Sequence, residues 1–374
     1  TDAKRGLVKY AKPAGVIASL IPMTNPAMTP PVTGVSSANA RNAVIFSPHP
    51  RTAATTYEMS RIMRAACHAV GAPEDLFQCI ERPSIPMTQY LMESCDLTLA
   101  TGGKPMVQAA YSSGKPAYGV GAGNSTIVVD ETADLNEAAK NIMISKTSDF
   151  GSGCSADGNI VIQKSIYSNM VSELQANNGY LCNSAEKELL SRAMWDNKEN
   201  RTFSTIACKP QQLALVAGFE IPEHIKFLMV ENNGQIGKEH KFSKEKLTTL
   251  MALYYFEEFP DALNIIQKIY EVGGKGHSCG IYSTSDKNID ALARVAPVSR
   301  MMVRQPQSKS NAGSWTNGMP MTSSLGCGIW GGNITNENVT MKHMMNYTWV
   351  SKPIQEDRPS ERELFGEFFG QEVA

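Results

Sequence analysis

The feature that most constrains the fold is the alternation of short apolar runs with longer amphipathic segments through about the first 150 residues. Short apolar runs are typical of buried strands, and the amphipathic segments are long enough for covering helices. This alternation indicates a parallel sheet covered by helices, so the sequence predicts an α/β fold. The predicted strands are 15–20, 42–46, 97–100 and 126–129, and the predicted helices are 53–70, 84–93, 104–113 and 135–145.

A second α/β unit is predicted after residue 154. Its strands are expected near 159–162, 249–256, 277–282 and 301–303, with helices at 260–272 and 286–295. The polar stretch 347–374 is either a surface helix or a tail that packs on a neighbouring subunit. No internal repeat or low-complexity segment interrupts this pattern.

Composition favours a small-molecule partner. The chain has 374 residues, 42% of them hydrophobic, which is enough for a large core in two or three domains. Lys and Arg number 35 against 36 Asp and Glu, giving a net charge of -1. Because there is no basic excess and no long basic run, nucleic acid and anionic membranes are not expected partners.

The cysteines argue against a disulfide scaffold or a metal site. There are eight, with no CxxC pair and no recurring spacing. No apolar segment is long enough to cross a bilayer and no secretory signal is visible, so a cytoplasmic location is expected. The chain begins at Thr1, which leaves a removed leader as an alternative.

Cys154 has the local setting of a reactive thiol. It lies in the segment 145–162, SKTSDFGSGCSADGNIVI, where small flexible residues surround it just before an apolar run. Glycines beside a thiol allow a substrate carbonyl to approach the sulfur. Since free cysteines are commonly inert small hydrophobes, a structural cysteine is the alternative from this segment alone.

Three turns of the first unit have features of a dinucleotide site. The segment 100–107, ATGGKPMV, passes from a strand into a helix through two glycines, so backbone N–H groups can face a phosphate. The segment 119–124, GVGAGN, is glycine-dense but lacks a following helix, and is no GxGxxG fingerprint. The segment 47–51, SPHPR, ends a strand with groups suited to ribose or phosphate. Taken singly, each turn is better explained as an ordinary tight connection than as a dinucleotide site.

Several segments in order resemble the CoA-acylating aldehyde dehydrogenases, most closely the aldehyde-oxidising half of bifunctional aldehyde/alcohol dehydrogenases and their succinate-semialdehyde relatives. The segments are 21–26, 41–51, 99–103, 111–124, 145–154, 245–247, 273–277 and 325–333. The resemblance covers nearly the whole chain. It implies an aldehyde dehydrogenase-like fold with two Rossmann-like parallel-sheet domains and a small oligomerisation element. The implied domains are a dinucleotide-binding domain at 1–147, a catalytic domain at 148–335 and a C-terminal return strand with tail at 336–374.

The resemblance also implies catalytic roles. Cys154 matches the nucleophile that forms a thiohemiacetal and then a thioacyl-enzyme, from which CoA takes the acyl group. Asn25 matches the asparagine that, with the Cys154 N–H, donates to the oxyanion. His277 and Glu245 match active-site residues, either as a base for the Cys154 or CoA thiol or as an anchor for the nicotinamide ribose. A locally bonded histidine and a surface glutamate are the alternative.

For cofactors, the resemblance implies NAD or NADP with CoA as co-substrate, and no metal. The residues expected to hold the dinucleotide are Thr24, Ser47, His49, Pro50, Arg51, Thr101, Gly102, Gly103, Gly119, Val120, Gly121 and Glu245. Hydrolytic relatives carry a glutamate in the segment matching 118–124 that activates water, and no acid occurs there. The sequence therefore favours acyl transfer to CoA over carboxylate formation.

Departures from the family pattern concern the substrate and the chain start. The chain reads TSDFG at 147–151 where relatives commonly read TFDNG, so Ser148 and Phe150 are expected near the aldehyde pocket. A nearby Arg304 or Lys309 would suit a short anionic aldehyde, with sulfoacetaldehyde as one candidate; acetaldehyde, propionaldehyde and succinate semialdehyde stay open. An N-terminal helical stretch of the family and the iron-dependent alcohol dehydrogenase half are expected to be absent.

Two other functions are compatible with the same fold. One is a non-catalytic nucleotide-binding scaffold, and the other is a non-acylating aldehyde dehydrogenase. Joint retention of Cys154, Asn25, Glu245 and His277 argues against a scaffold. A homodimer or higher homo-oligomer is expected, with 339–350 as a possible edge between subunits and an intramolecular strand as its alternative.

Overall fold

The computed structural model describes residues 1–368 and 370. Within them, fourteen strands are β1 Leu7–Pro13, β2 Val16–Ile21, β3 Ala43–Pro48, β4 Phe77–Cys79, β5 Leu97–Thr101, β6 Ala117–Val120, β7 Thr126–Val129, β8 Asn159–Gln163, β9 Gly179–Leu181, β10 Phe227–Glu231, β11 Leu250–Phe256, β12 Gly276–Tyr282, β13 Val298–Val303 and β14 Met345–Ser351. The α-helices are α1 Thr29–Asn39, α2 Ala53–His68, α3 Ile85–Ser94, α4 Lys104–Tyr111, α5 Leu135–Thr147, α6 Tyr167–Ala176, α7 Ser184–Met194, α8 Pro210–Ala217, α9 Phe259–Val272, α10 Asp286–Val295, α11 Gln307–Ser310 and α12 Glu361–Phe365.

The first sheet contains five parallel strands in the order β4-β3-β2-β5-β6. Its central strand β2 is almost fully buried, as expected for a strand covered on both faces. Three of the strands were predicted from the apolar runs. The short strands β4 and β6 were not, because neither is long enough to show a periodic pattern.

The second sheet contains seven parallel strands in the order β13-β12-β7-β8-β11-β10-β9. Apolar clusters lie on both of its faces, one including Leu228 and Ile281 and the other Ile127 and Ile160. The parallel α/β fold is confirmed. Placing the strand 126–129 in the first unit was wrong, since β7 pairs with β8 and β12 in this sheet. The domain limits at 147 and 335 themselves stay a prediction.

A two-stranded antiparallel ribbon joins the two ends of the chain. Strand β1 pairs with β14 in a register from Leu7 opposite Ser351 to Pro13 opposite Met345. The segment predicted at 339–350 therefore contributes a strand that pairs within the chain, as its intramolecular alternative expected. Just before β14, Val339 and Met344 pack in the core of the first sheet, and the Asn42 side chain donates to the Met344 carbonyl at 2.9 Å.

The polar C-terminal stretch contains the exposed helix α12, which agrees with the surface-helix alternative. Residues 369 and 371–374 of the predicted tail lie outside the described residues. No helix among residues 1–368 and 370 combines the length and apolar character needed to span a membrane.

Candidate active site

A cleft of about 280 Å³ lies between the carboxyl ends of the first sheet and the loop that precedes β8. It receives Thr24 and Asn25 from the turn after β2 and Thr101 to Gly103 from the turn after β5. Parallel strands end at the same edge, and for this reason turns far apart in sequence meet there. The full lining is Pro22, Met23, Thr24, Asn25, Thr29, His49, Thr101, Gly102, Gly103, Met106, Val120, Gly121, Ala122, Ser152, Gly153, Cys154, Glu245, Leu247, Ser323 and Leu325.

Cys154 reaches this cleft through a sharply turned loop. Helix α5 ends at Thr147, and the next residues include Asp149, Phe150 and Gly151 with φ of 48°, 51° and 68°. Such left-handed conformations cost non-glycine residues about 1–3 kcal/mol each and occur mainly where the surroundings enforce them. The Ser152 hydroxyl donates to the Asp149 carbonyl at 2.8 Å and closes the turn. As a result Cys154 is partly exposed and faces the cleft.

The loop between β6 and β7 passes directly over the nucleophile. A Cβ atom at Gly123 would lie 1.7 Å from the Cys154 carbonyl oxygen, so only glycine allows this approach. The Gly123 N–H donates to Glu245 Oε1 at 3.1 Å. Gly123 thereby fixes Cys154 and Glu245 relative to each other. The absence of a helix after this glycine-rich turn agrees with the sequence analysis.

Burial changes the acidity of both groups. It raises the pKa of the Cys154 thiol to about 12, with the Glu245 charge acting in the same direction. Burial also raises the pKa of Glu245 to about 7, against the Gly123 hydrogen bond and the charge of Lys146. The thiol is therefore protonated at neutral pH and needs a base, while Glu245 changes its charge in the physiological range.

Three polar side chains in the cleft have no hydrogen-bond partner among the described residues. The Asn25 amide lines the cleft with Cys154 and is free to donate. The hydroxyls of Thr29 and Ser323 are buried and unpartnered in the same cleft. Buried polar groups normally find partners, so the Thr29 and Ser323 hydroxyls stand out among the lining residues, whereas Asn25 is half-buried.

His277 lies outside the lining of this cleft. It is fully buried at the start of β12, where Nδ1 is 2.9 Å from the Ser278 hydroxyl and Nε2 has no hydrogen-bond partner. Arg300 donates to the His277 carbonyl at 3.1 Å. Burial, with the Arg300 charge, lowers the pKa of His277 to about 3. The ring is therefore neutral at physiological pH.

Most residues expected to hold a dinucleotide meet in the cleft. Thr24, His49, Thr101, Gly102, Gly103, Val120, Gly121 and Glu245 line it. Gly103 caps α4 without a side-chain hydrogen bond, and the Lys104 N–H at the first helical position is available to an anion. Pro105 has no N–H, and the Met106 N–H donates to the Gly103 carbonyl at 3.0 Å. Pro50 and the other expected residues lie outside the lining. Ser47 bonds Thr88 at 2.9 Å, Arg51 stacks 4.2 Å from the Phe203 ring, and Gly119 packs beneath Tyr111.

The residues proposed from sequence for an anionic aldehyde are elsewhere. Arg304 and Lys309 are exposed, and neither lines the cleft. Ser148 and Phe150 belong to the turn before Cys154 but also lie outside the lining. Apart from His49, the lining holds no basic side chain. The 304–311 segment supplies no cation to this cleft, since β13 ends at Val303 and both Arg304 and Lys309 are exposed. Its place beside the aldehyde stays a prediction.

Sequence reasoning missed Thr29, Ser323 and Lys146. The first two are ordinary hydroxyl residues in sequence, and only the tertiary structure shows their missing partners. For Lys146 a signal existed, since the residue lies on the buried face of α5 beside the alanines and isoleucine that pack on the sheet. A lysine at such a position is unusual and marks a polar requirement.

The comparisons with known proteins agree with this geometry. A family model described as the aldehyde dehydrogenase family matches residues 2–183. A sulfoacetaldehyde dehydrogenase from Acholeplasma sp. is 42% identical over 371 residues, covering 98% of this chain and 76% of that protein. An acetylating aldehyde dehydrogenase from Geobacillus thermoglucosidasius superposes with a TM-score of 0.92 at 37% identity, over 96% of this chain and 79% of that chain.

A second similar structure contains an acyl-CoA. The propionaldehyde dehydrogenase of Rhodopseudomonas palustris with bound propionyl-CoA has a TM-score of 0.83 and 25% identity. The match covers 92% of this chain and 75% of that chain.

Proposed function

The chain belongs to the aldehyde dehydrogenase family, in the group of acylating enzymes, and we propose that it oxidises a short polar aldehyde through a thioester on Cys154. It is a CoA-acylating aldehyde dehydrogenase that uses NAD or NADP together with CoA. The single observation that carries the proposal is the meeting of Cys154, Glu245 and the free Asn25 amide in one cleft.

The first chemical step is removal of the thiol proton. We assign this to Glu245, because its carboxylate is tied by Gly123 beside Cys154 and titrates near neutral pH. The freed sulfur lone pair attacks the aldehyde carbon, and the carbonyl oxygen becomes an oxyanion. The Asn25 amide and the Cys154 backbone N–H are the proposed donors to that oxyanion. His277, buried and outside the lining, is less suited to act as the base.

The cleft fits a dinucleotide on the side of the first sheet. Gly102 and Gly103 form a turn without bulky side chains, and the Lys104 N–H at the start of α4 is available to a pyrophosphate. His49 lines the same region and accepts from the Arg51 N–H at 3.2 Å. A nicotinamide bound there would supply the acceptor for the hydride of the thiohemiacetal carbon. The preference for NAD or NADP is to be measured by comparing turnover with each dinucleotide.

The acyl group then passes to the CoA thiol. Glu245 is the only carboxylate in the lining, and no acid stands in the loop that covers Cys154. A loop without a base leaves water poorly activated, so the thioester awaits a better nucleophile. Once Glu245 has released the first proton to solvent, its carboxylate can accept the CoA proton as the CoA sulfur attacks the thioester. Glu245 then gives this proton to the leaving Cys154 thiolate, and the thiol is restored.

For the substrate, we propose an aldehyde whose far end accepts hydrogen bonds. The unpartnered hydroxyls of Thr29 and Ser323 support this, since they lie in a cleft that is otherwise rich in methionine and leucine. Sulfoacetaldehyde is the first candidate, because the similar protein of that name is 42% identical to this chain. Its sulfonate would be held by hydroxyl and amide donors instead of the cation that the sequence suggested.

The decisive test is NADH or NADPH formation with sulfoacetaldehyde, acetaldehyde, propionaldehyde and succinate semialdehyde, each with and without CoA. We expect CoA-dependent turnover that Cys154→Ala abolishes, by about 10⁴-fold or more. Cys67→Ala, a half-buried thiol on α2, is the matched control. Turnover without CoA would instead identify a non-acylating enzyme, and nucleotide binding without any turnover would identify a scaffold.

We propose a homodimer or higher homo-oligomer in the cytoplasm. Tyr10 and Trp349 are exposed on the β1–β14 ribbon, an apolar surface suited to a second copy. Eight free cysteines fit a reducing compartment. Size-exclusion chromatography with light scattering tests the association, and a monomer would contradict it.

A further inference from the structure

A second, much smaller cavity lies behind Cys154. Its volume is about 10 Å³, which is room for about one water molecule. Cys154 and Glu245 line both this cavity and the main cleft. The full lining is Asn124, Ser125, Lys146, Gly151, Gly153, Cys154, Ala156, Gly158, Glu245, Lys246 and Leu247. The nucleophile and its proposed base therefore stand between an open cleft and a closed polar space.

Lys146 is the unexplained group in that space. Its side chain is 1% exposed, and its ammonium has no hydrogen-bond partner among the described residues. A buried ammonium without a partner is costly unless nearby charges or water offset its loss of hydration. The charges that act on Lys146 favourably are Asp157 and Glu245, while Arg201 opposes it. A bridging water in the cavity would give the ammonium a hydrogen-bond partner beside Glu245.

The other cations near Glu245 are already committed. Lys246 donates to Asn159 Oδ1 at 2.7 Å, and burial lowers its pKa well below the usual lysine range. The Arg201 guanidinium donates to the backbone carbonyls of Lys246, Thr205 and Met194. Lys246 also lines the cavity, and both cations lower the pKa of Glu245. Lys146 has the largest effect of the three charges on Glu245 and makes no hydrogen bond to the described residues.

Asp157 completes the arrangement on the far side of Lys146. Gln307 donates to its Oδ1 at 2.9 Å, and the Ser145 hydroxyl is a second hydrogen-bonding neighbour that lowers the Asp157 pKa. Burial raises the pKa of Asp157 to about 7, and the Lys146 charge opposes that rise. Burial in turn lowers the pKa of Lys146 to about 7. Two carboxyl groups thus share one buried ammonium.

We propose that Lys146 is a positioning residue whose ammonium, facing Glu245 across the cavity behind Cys154, keeps that carboxylate ionised so that it can take the thiol proton. This rests on the proposed role of Glu245 as base. Cys154 S–H gives its proton to the Glu245 carboxylate, and the S–H electron pair stays on sulfur and attacks. Cys327, which faces Cys154 and Glu245, and Arg300, which faces Cys154, are the other titratable or charged neighbours of this pair.

The test is alkylation of Cys154 by iodoacetamide as a function of pH, followed by mass spectrometry of the Cys154 peptide. It needs no aldehyde, NAD(P) or CoA, so failure of the proposed activity would leave its result readable. Because thiol and carboxyl share a proton, alkylation follows the first ionisation of the pair. We expect the wild-type rate to rise through about pH 7, where Glu245 ionises.

In Lys146→Met the rise should move upward by about 1 pH unit or more, since a neighbouring opposite charge typically shifts a carboxyl by that amount. Glu245→Gln should remove the rise near neutrality. Lys140→Met is the matched control, because Lys140 is exposed on the same helix, and its profile should equal that of the wild type.

An unchanged profile in folded Lys146→Met would overturn the proposal. If that variant does not fold by circular dichroism, Lys146→Gln carries the same comparison. Failure of both to fold would assign Lys146 to structure alone and would also overturn it.

Discussion

The two sides of Cys154 differ in charge. The cleft in front is lined by methionine, leucine, glycine and neutral hydroxyls, with Glu245 as its only carboxylate. The cavity behind contains Lys146 and Lys246, and Asp157 and Arg201 act on the same groups. Charges that control protons are thus kept where substrates do not enter. The difference teaches that a thiol with a raised pKa can be activated from behind while its substrate side stays neutral.

Among the following variants, Glu245→Gln should reduce activity most, because it removes the carboxylate that lines both the cleft and the cavity. We expect kcat/KM to fall by about 10²–10⁴-fold. In the wild type, kcat/KM should rise with pH through about 7, because the active form is the carboxylate and is lost as pH falls below the Glu245 pKa. The measurement is a pH profile from 5 to 9 for both proteins.

The same profile separates the two candidate bases. With a pKa of about 3, His277 would be fully deprotonated throughout that range and would give a flat profile. A flat wild-type profile, together with loss of activity in His277→Ala, would show that His277 is the base and would contradict the assignment to Glu245.

Asn25→Ala tests the proposed oxyanion donor in the cleft beside Cys154. Loss of an oxyanion donor should lower kcat by about 10²–10³-fold with little change in aldehyde KM. Asn136→Ala, at an exposed position on α5, is the control. A kcat within about twofold of wild type would show that the free amide serves binding or structure instead of the oxyanion.

Gly123→Ala tests the close contact between the β6–β7 loop and the backbone of Cys154. A Cβ 1.7 Å from the Cys154 carbonyl must displace one loop, so we expect about 1–3 kcal/mol of destabilisation and about 10²-fold loss of kcat. Gly318→Ala, where an added Cβ meets nothing within 4 Å, is the control. Urea unfolding and steady-state kinetics measure the two effects, and unchanged values for both would contradict the close packing.

Ser323→Ala should give the smallest effect, confined to the cleft. Loss of a hydrogen bond to a charged tail should raise the KM for sulfoacetaldehyde by about tenfold and leave propionaldehyde unchanged. Thr29→Val tests the neighbouring hydroxyl in the same way. Equal changes for both aldehydes would mean that these hydroxyls do not recognise the tail.

The sequence predicted long elements better than short ones. Helix α10 was predicted at 286–295, as observed, because its amphipathic periodicity is strong and Ser285 caps its start. The short strand β7 was predicted at 126–129 as an unbroken apolar run bounded by Ser125 and Asp130. The sheet to which β7 belongs was not predictable, since parallel strands pair over long sequence distances. The strand β10 was missed for a related reason, as its apolar run lies among irregular loops.

For the site, motifs located the residues but not their surroundings. Resemblance named Cys154, Asn25 and Glu245, and all three line one cleft. It gave no indication that Arg304 points to solvent or that Lys146 is buried beside Glu245. The direction in which a side chain points depends on how its helix or strand packs in the fold. A sequence motif does not contain that information.

The β1–β14 ribbon has a consequence for how the protein is made. Its pairs join residues between 332 and 344 positions apart, from Pro13 with Met345 to Leu7 with Ser351, and Val339 and Met344 pack in the core of the first sheet. Contacts of such sequence separation form late because the intervening chain must first be ordered. During synthesis, the first sheet therefore waits for almost the whole chain to leave the ribosome before its core is closed.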